Sequence, residues 1–180
     1  MRKPGVPEMR LRFRVSEVPY WAARYAYEDD TGVIAIGEAA RRAGFYTRAQ
    51  FLAVAEWKTE RSKGRCRLND EASVREVTGA ALSARDERLR VGALTLLEGV
   101  GVPTASVLLH LAHPDPYPIL DFRALWSLGV DRQPPYYPFA LWWAYTSACR
   151  SLAEEAGVPM RTLDRALWQY SAENQPSSGA

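Results

Sequence analysis

Gly99 and Gly101, with Val100 between them, stand between two stretches of apolar residues recurring at helical spacing, one reaching Leu97 and the other starting at Ala105. Glycine enters left-handed backbone conformations at no steric cost and carries no Cβ, so a phosphate can approach the N–H groups that open the second helix. Gly99, Val100 and Gly101 therefore form a candidate phosphate-binding turn, and a DNA backbone is its natural ligand. A basic run, Lys58, Arg61, Lys63, Arg65 and Arg67, broken mainly by Glu60, offers further phosphate contacts or simply a solvated charged face. Lys58 follows Phe51 by seven residues and Val54 by four, which turns it toward their side of a helix. It is either a phosphate clamp or amine nucleophile in a cleft, or a stem packed on apolar surface with its ammonium reaching water.

Asp121 heads a short apolar-periodic stretch over 122–128. Aspartate is a favoured N-cap, and the positive end of a helix keeps a carboxylate ionised. Tyr117 and Tyr136 lie in proline-flanked connectors, where exposed rings serve as stacking surfaces for a planar ligand. His110 and His113 flank a helix end without acidic or cysteine partners at ligand spacing, and Cys66 and Cys149 stand alone. Neither a zinc site nor an iron–sulfur cluster can be assembled from them, so no metal and no cofactor are expected.

The elements that would position these residues read as all-α. Thr47 and Gln50 form a capping box ahead of Phe51, Val54 and Ala55, predicting a helix to about residue 62. Asn69 is the expected N-cap of the next, whose stripe is Val74, Val77 and Ala81. Ser83 and Asp86 open a third, with Leu89, Ala93, Leu96 and Leu97 predicted on one face and Gly99 as its stop. Pro103 suits the first turn of the helix that follows, and Pro114, Pro116 and Pro118 predict an extended connector to Asp121. Helices are also predicted over 16–27, 33–43, 122–128 and 139–156, with a last one carrying Leu163, Ala166, Leu167 and Tyr170. Residues 173–180 are polar and predicted to form a disordered tail, leaving 1–172 as one domain with its hairpin at 84–112.

Composition narrows the class. The 180 residues are 47% hydrophobic and 24% charged, ordinary globular proportions, and the net charge of +2 permits nucleic-acid binding without requiring it. No apolar stretch approaches the roughly 20 residues that span a bilayer, and Pro4, Gly5 and Pro7 stand where a secretory leader needs its apolar segment. No membrane contact and a cytoplasmic location are expected.

Residues 94–108, and within them Leu97, Gly99, Val100, Gly101, Thr104 and Ala105, resemble the helix-hairpin-helix motif of the helix-hairpin-helix DNA glycosylase superfamily. Those enzymes also place a catalytic aspartate shortly downstream, between an extended segment and a helix, where Pro118-Ile119-Leu120-Asp121-Phe122-Arg123 stands here. The two signals together cover about 35 residues of this chain. The resemblance implies a two-lobed helical fold, double-stranded DNA as partner, and excision of a damaged or mismatched base. In that chemistry the nucleotide is drawn from the stack while a carboxylate below the sugar stabilises the cation formed as the glycosidic bond breaks, or activates water. Asp121 is the residue the resemblance assigns to it.

Two departures shape the expectation. Members that also cut the backbone carry a lysine at the position of Pro103, which has no amine, so the resemblance implies a monofunctional hydrolase. Glu98 replaces the usual proline and places a carboxylate where it opposes an incoming phosphate. The alternative is a catalytically inactive relative that keeps the fold for DNA binding or protein interaction.

Overall fold

Helix starts along this chain are set by short side chains that accept from their own first turn. Thr47 and Gln50 cap each other's backbone N–H at 2.9 and 3.3 Å, Asp70 accepts from Ser73 N–H at 2.7 Å, and Asp86 accepts from Leu89 N–H at 2.8 Å. In a computed structural model describing residues 7–26, 29–132 and 135–176, all regular structure among the described residues is helical. The helices are α1 (Val18–Ala23), α2 (Thr31–Ala43), α3 (Arg48–Lys58), α4 (Lys63–Cys66), α5 (Glu71–Ser83), α6 (Glu87–Leu94), α7 (Val102–Ala112), α8 (Phe122–Ser127), α9 (Phe139–Ala156) and α10 (Met160–Asn174). Single 3₁₀ turns lie at Val15–Glu17 and Glu60–Ser62. None of the described helices is long and apolar enough to cross a membrane.

The helices gather into two units, one comprising Asp29–Ile119 and the other Met1–Glu28 with Leu120–Ala180. In the first, α7 is the core: every residue from Thr104 to Ala112 is buried, with α2, α3 and α6 packed around it. The approach of α2 depends on Gly37, where an added Cβ would lie 2.6 Å from the Cβ of Leu111. Buried Tyr46 ties the neighbouring loop to α7 by donating its hydroxyl to Leu108 O at 2.8 Å. In the other unit, α10 lays Leu163, Ala166 and Leu167 against α1, α8 and α9, and Ser127 Oγ donates to Leu167 O at 2.6 Å. Residues 10–12 run alongside α8, with Arg10 and Arg12 donating their N–H groups to Leu128 and Ser127 carbonyls at 2.9 Å.

The all-α expectation holds, with local differences that each have a cause. Helix α3 ends at Lys58 rather than near residue 62, because Thr59 turns to extended backbone and its hydroxyl accepts from Arg61 N–H to start a new turn. Asp70, not Asn69, caps α5, and Asp86 alone caps α6, while Ser83 lies in the last turn of α5. The predicted stripe on α6 is also shifted. Val91, Ala93, Leu94 and Leu97 are buried, whereas Leu89 and Leu96 are 58% and 77% exposed. The helix stops at Leu94 rather than at Gly99, so Leu96 no longer follows its period, while Leu89 lies on the exposed side of the helix itself. Helix α10 continues through Glu173 and Asn174, which the sequence assigned to the tail, and Glu173 there accepts from Gln169 at 2.8 Å. Residues 177–180 and Tyr27, the predicted end of the first helix, lie outside the described residues.

Candidate phosphate-binding hairpin and carboxylate site

The segment between α6 and α7 descends through overlapping turns, with Thr95, Leu96 and Leu97 N–H donating to Gly92, Ala93 and Leu94 carbonyls. Val100 N–H then returns to Leu97 O at 3.1 Å, and Gly99 between them takes φ +79°, the left-handed region that disfavours any residue with a Cβ. Gly101, extended at φ −93° and ψ 175°, is the N-cap of α7 and brings no side chain to the helix start. The N–H groups of Val102 and Thr104 belong to the first turn, which has no carbonyl of its own helix to bond. Pro103 occupies a position where its missing N–H costs nothing.

This helix start opens on a cleft of about 630 Å³ whose walls include Thr59, Arg61, Ser62, Arg65, Leu96 and residues 97–101. The basic run thus divides. Arg61 and Arg65 face the cleft and are exposed, while Lys63 is half-buried and paired with Glu56 of α3. Lys58 closes α3, half-buried, one residue before the cleft wall begins at Thr59. Glu98 reaches back to the cleft's own cation: its Oε2 accepts from Arg65 at 2.8 Å, in a pair exposed on both sides.

A residue expected only as a helix cap bonds this turn. Asn69 is only 8% exposed, and its carboxamide accepts from Glu98 N–H at 2.8 Å while donating to Glu98 O and Cys66 O at 2.9 Å each. Asparagine before an acidic helix start reads as an N-cap, and nothing local in the sequence links it to a turn 29 residues away.

Tyr117 stands in the same unit but is 4% exposed, its hydroxyl donating to Glu87 at 2.8 Å and the Arg90 guanidinium 5.6 Å from its ring centre. A ring so enclosed offers no open face for a stacked base, which corrects the expectation placed on it. His110 is buried, with Nδ1 2.7 Å from Tyr117 O, so it braces the connector. Burial and the nearby Arg90 lower the pKa of His113. Among the described residues no cluster of histidine, cysteine, aspartate or glutamate could hold a metal ion.

Asp121 and Tyr136 belong to the other unit. Asp121 is half-buried, extended in backbone, and caps α8 by accepting from Ala124 N–H at 2.7 Å. Its charge is felt by a buried side chain midway along α9. Burial first, then Cys149, Asp164 and Asp121, raise the pKa of Tyr145 well above its ordinary value, so that hydroxyl keeps its proton. Burial likewise raises Cys149, leaving an inert thiol. Tyr136 is 69% exposed on the wall of a pocket of about 460 Å³, with Pro7, Gly129, Val130, Pro138 and Leu141 among its neighbours.

No family model, no curated protein and no solved structure matches the chain.

Proposed function

We propose that this protein is a helix-hairpin-helix DNA glycosylase-like enzyme that hydrolyses the N-glycosidic bond of a damaged or mismatched base in double-stranded DNA. One observation carries the reading: a left-handed glycine places an uncapped helix start, free of side chains at Gly101, on the wall of a cleft that also holds Arg61 and Arg65. Backbone N–H groups at such a start, with two guanidiniums beside them, suit a phosphodiester. In this reading Asp121 is the catalytic carboxylate. It stabilises the sugar cation as the bond from C1′ to the base nitrogen breaks, water adds its oxygen to C1′, and the base leaves carrying a proton. Tyr136 is the exposed ring offered for stacking, Pro103 leaves no amine for strand cleavage, and the site of action is the cytoplasm.

Incubation with a panel of lesion-containing duplexes, followed by alkali to reveal abasic sites, tests the reading. Excision of one lesion type by the wild type, lost in Asp121→Asn, is the expected result. Failure to excise any lesion removes the enzyme from the reading.

The ion pair between Glu98 and Arg65 favours a second reading, a non-catalytic relative that binds DNA or a protein through the same fold. Duplex affinity that falls steeply with salt, without excision, distinguishes a DNA-binding relative from a protein-binding one.

A further inference from the structure

We propose that Asn69 is the positioning residue of the glycine hairpin, the side chain that sets the turn's backbone in the shape a phosphate meets. This rests on the DNA-binding reading above and names what keeps that site in register.

Glu98, the residue before the left-handed glycine, lies outside both α6 and α7, and among the described residues its backbone bonds to the backbone of neither helix. Asn69 bonds both of its backbone groups. Its Oδ1 takes the Glu98 N–H, one Nδ2 hydrogen goes to Glu98 O, and the other goes to Cys66 O at the end of α4. A carboxamide has two donor hydrogens and one acceptor oxygen, and all three functions are used here within 2.9 Å. Aspartate lacks the donors, leucine lacks every polar function, and glutamine sets the same group one methylene further out.

A second observation locates the turn on the same support. A Cβ added to Gly99 would lie 2.8 Å from both the backbone nitrogen and Sγ of Cys66, so the hairpin rests on α4 with no space between. Asn69 therefore bonds the hairpin to the element it rests on. Rotation of the peptide groups around Gly99 would carry Gly101 away from the start of α7 and shift the backbone N–H of Thr104, a residue that lines the cleft. Arg61 and Arg65 reach the cleft from the preceding segment and do not depend on that rotation.

The test uses the full chain, as wild type, Asn69→Ala and Asn69→Asp, with folding checked by circular dichroism. Hydrogen exchange reads the hairpin itself, and titration of a short undamaged duplex at several salt concentrations reads binding. Asn69→Ala is expected to speed exchange of the Glu98 and Val100 amides at least tenfold while the amides of Leu108 and Leu109 in α7 stay protected. Duplex affinity should fall roughly tenfold with an unchanged salt slope, because backbone N–H contacts release no counterions, whereas Arg65→Ala should lower the slope by about one. Asn69→Asp, which keeps the acceptor but sets a carboxylate against two carbonyl oxygens, should behave like Asn69→Ala.

Unchanged Glu98 exchange or unchanged affinity in a folded variant overturns the proposal. Collapse of both variants also overturns it, by making Asn69 a general stability residue. If wild type binds no duplex, the DNA reading fails, while Glu98 exchange still decides whether Asn69 holds the turn.

Discussion

Gly99 meets Cys66 so closely that a single added carbon would lie 2.8 Å from the cysteine's backbone nitrogen. A flexible side chain can move away from an intruding methyl group, but a backbone nitrogen in a helical turn cannot. Conformation and contact act together at this position, since φ is also +79°. Gly99→Ala is expected to cost about 2–4 kcal/mol, from left-handed strain and overpacking combined. Denaturant unfolding monitored by circular dichroism measures it, and a loss under about 1 kcal/mol would mean the turn relaxes freely.

Asp121 has a structural task, capping α8 at 2.7 Å, and a proposed chemical one, and substitutions separate them. Asparagine caps as well as aspartate, so Asp121→Asn should change stability by less than about 0.5 kcal/mol, while Asp121→Ala should cost about 1 kcal/mol. Excision should vanish in both, because neither carries a charge to oppose the sugar cation. Thermal melts beside the alkali-cleavage assay give the two readouts. Wild-type excision by Asp121→Asn would leave the residue as a cap only.

If the cleft binds DNA as proposed, Glu98 competes with it for Arg65. Their 2.8 Å pair is exposed on both sides, so breaking it costs little, and the larger effect of Glu98 is the negative charge it holds beside an approaching phosphate. Glu98→Gln keeps the backbone that Asn69 grips and removes the charge. Duplex affinity at low salt should rise about three- to tenfold, with the gain shrinking as salt screens the cleft. Fluorescence anisotropy across a salt series measures it, and equal affinity at low salt would separate Arg65 from the phosphate path.

Stability should depend on pH through His113. Burial first, then Arg90 and Arg41, depress its folded-state pKa below the ordinary 6.5, while the backbone at Leu82 opposes the shift in part. Above that value both folded and unfolded chains hold the ring neutral and the residue contributes no pH dependence. As pH falls below 6.5 the unfolded chain takes up a proton that the folded chain resists, so stability declines until the folded-state pKa is reached. The difference in melting temperature between pH 7.5 and pH 5 should therefore be smaller in His113→Gln than in wild type. An identical pH dependence in the two would assign the effect to other groups.

Much of the helical framework was legible in local sequence. The capping box at Thr47 and Gln50, the prolines after Ala112 and the bounds of α9 each depend on residues within a turn or two of one another, and short-range sterics and hydrogen bonding decide them. The glycine hairpin was legible for the same reason. Tertiary structure alone decided what the hairpin rests on, because the contacts of Gly99 with Cys66 and of Asn69 with Glu98 join segments about 30 residues apart. It also decided that Leu96 faces solvent, that Tyr117 is enclosed and that Lys63 is paired with Glu56, since periodicity tells which residues share a face but not what that face meets. Gly37 makes the same point: only the backbone of α7 lying against it forbids a side chain there.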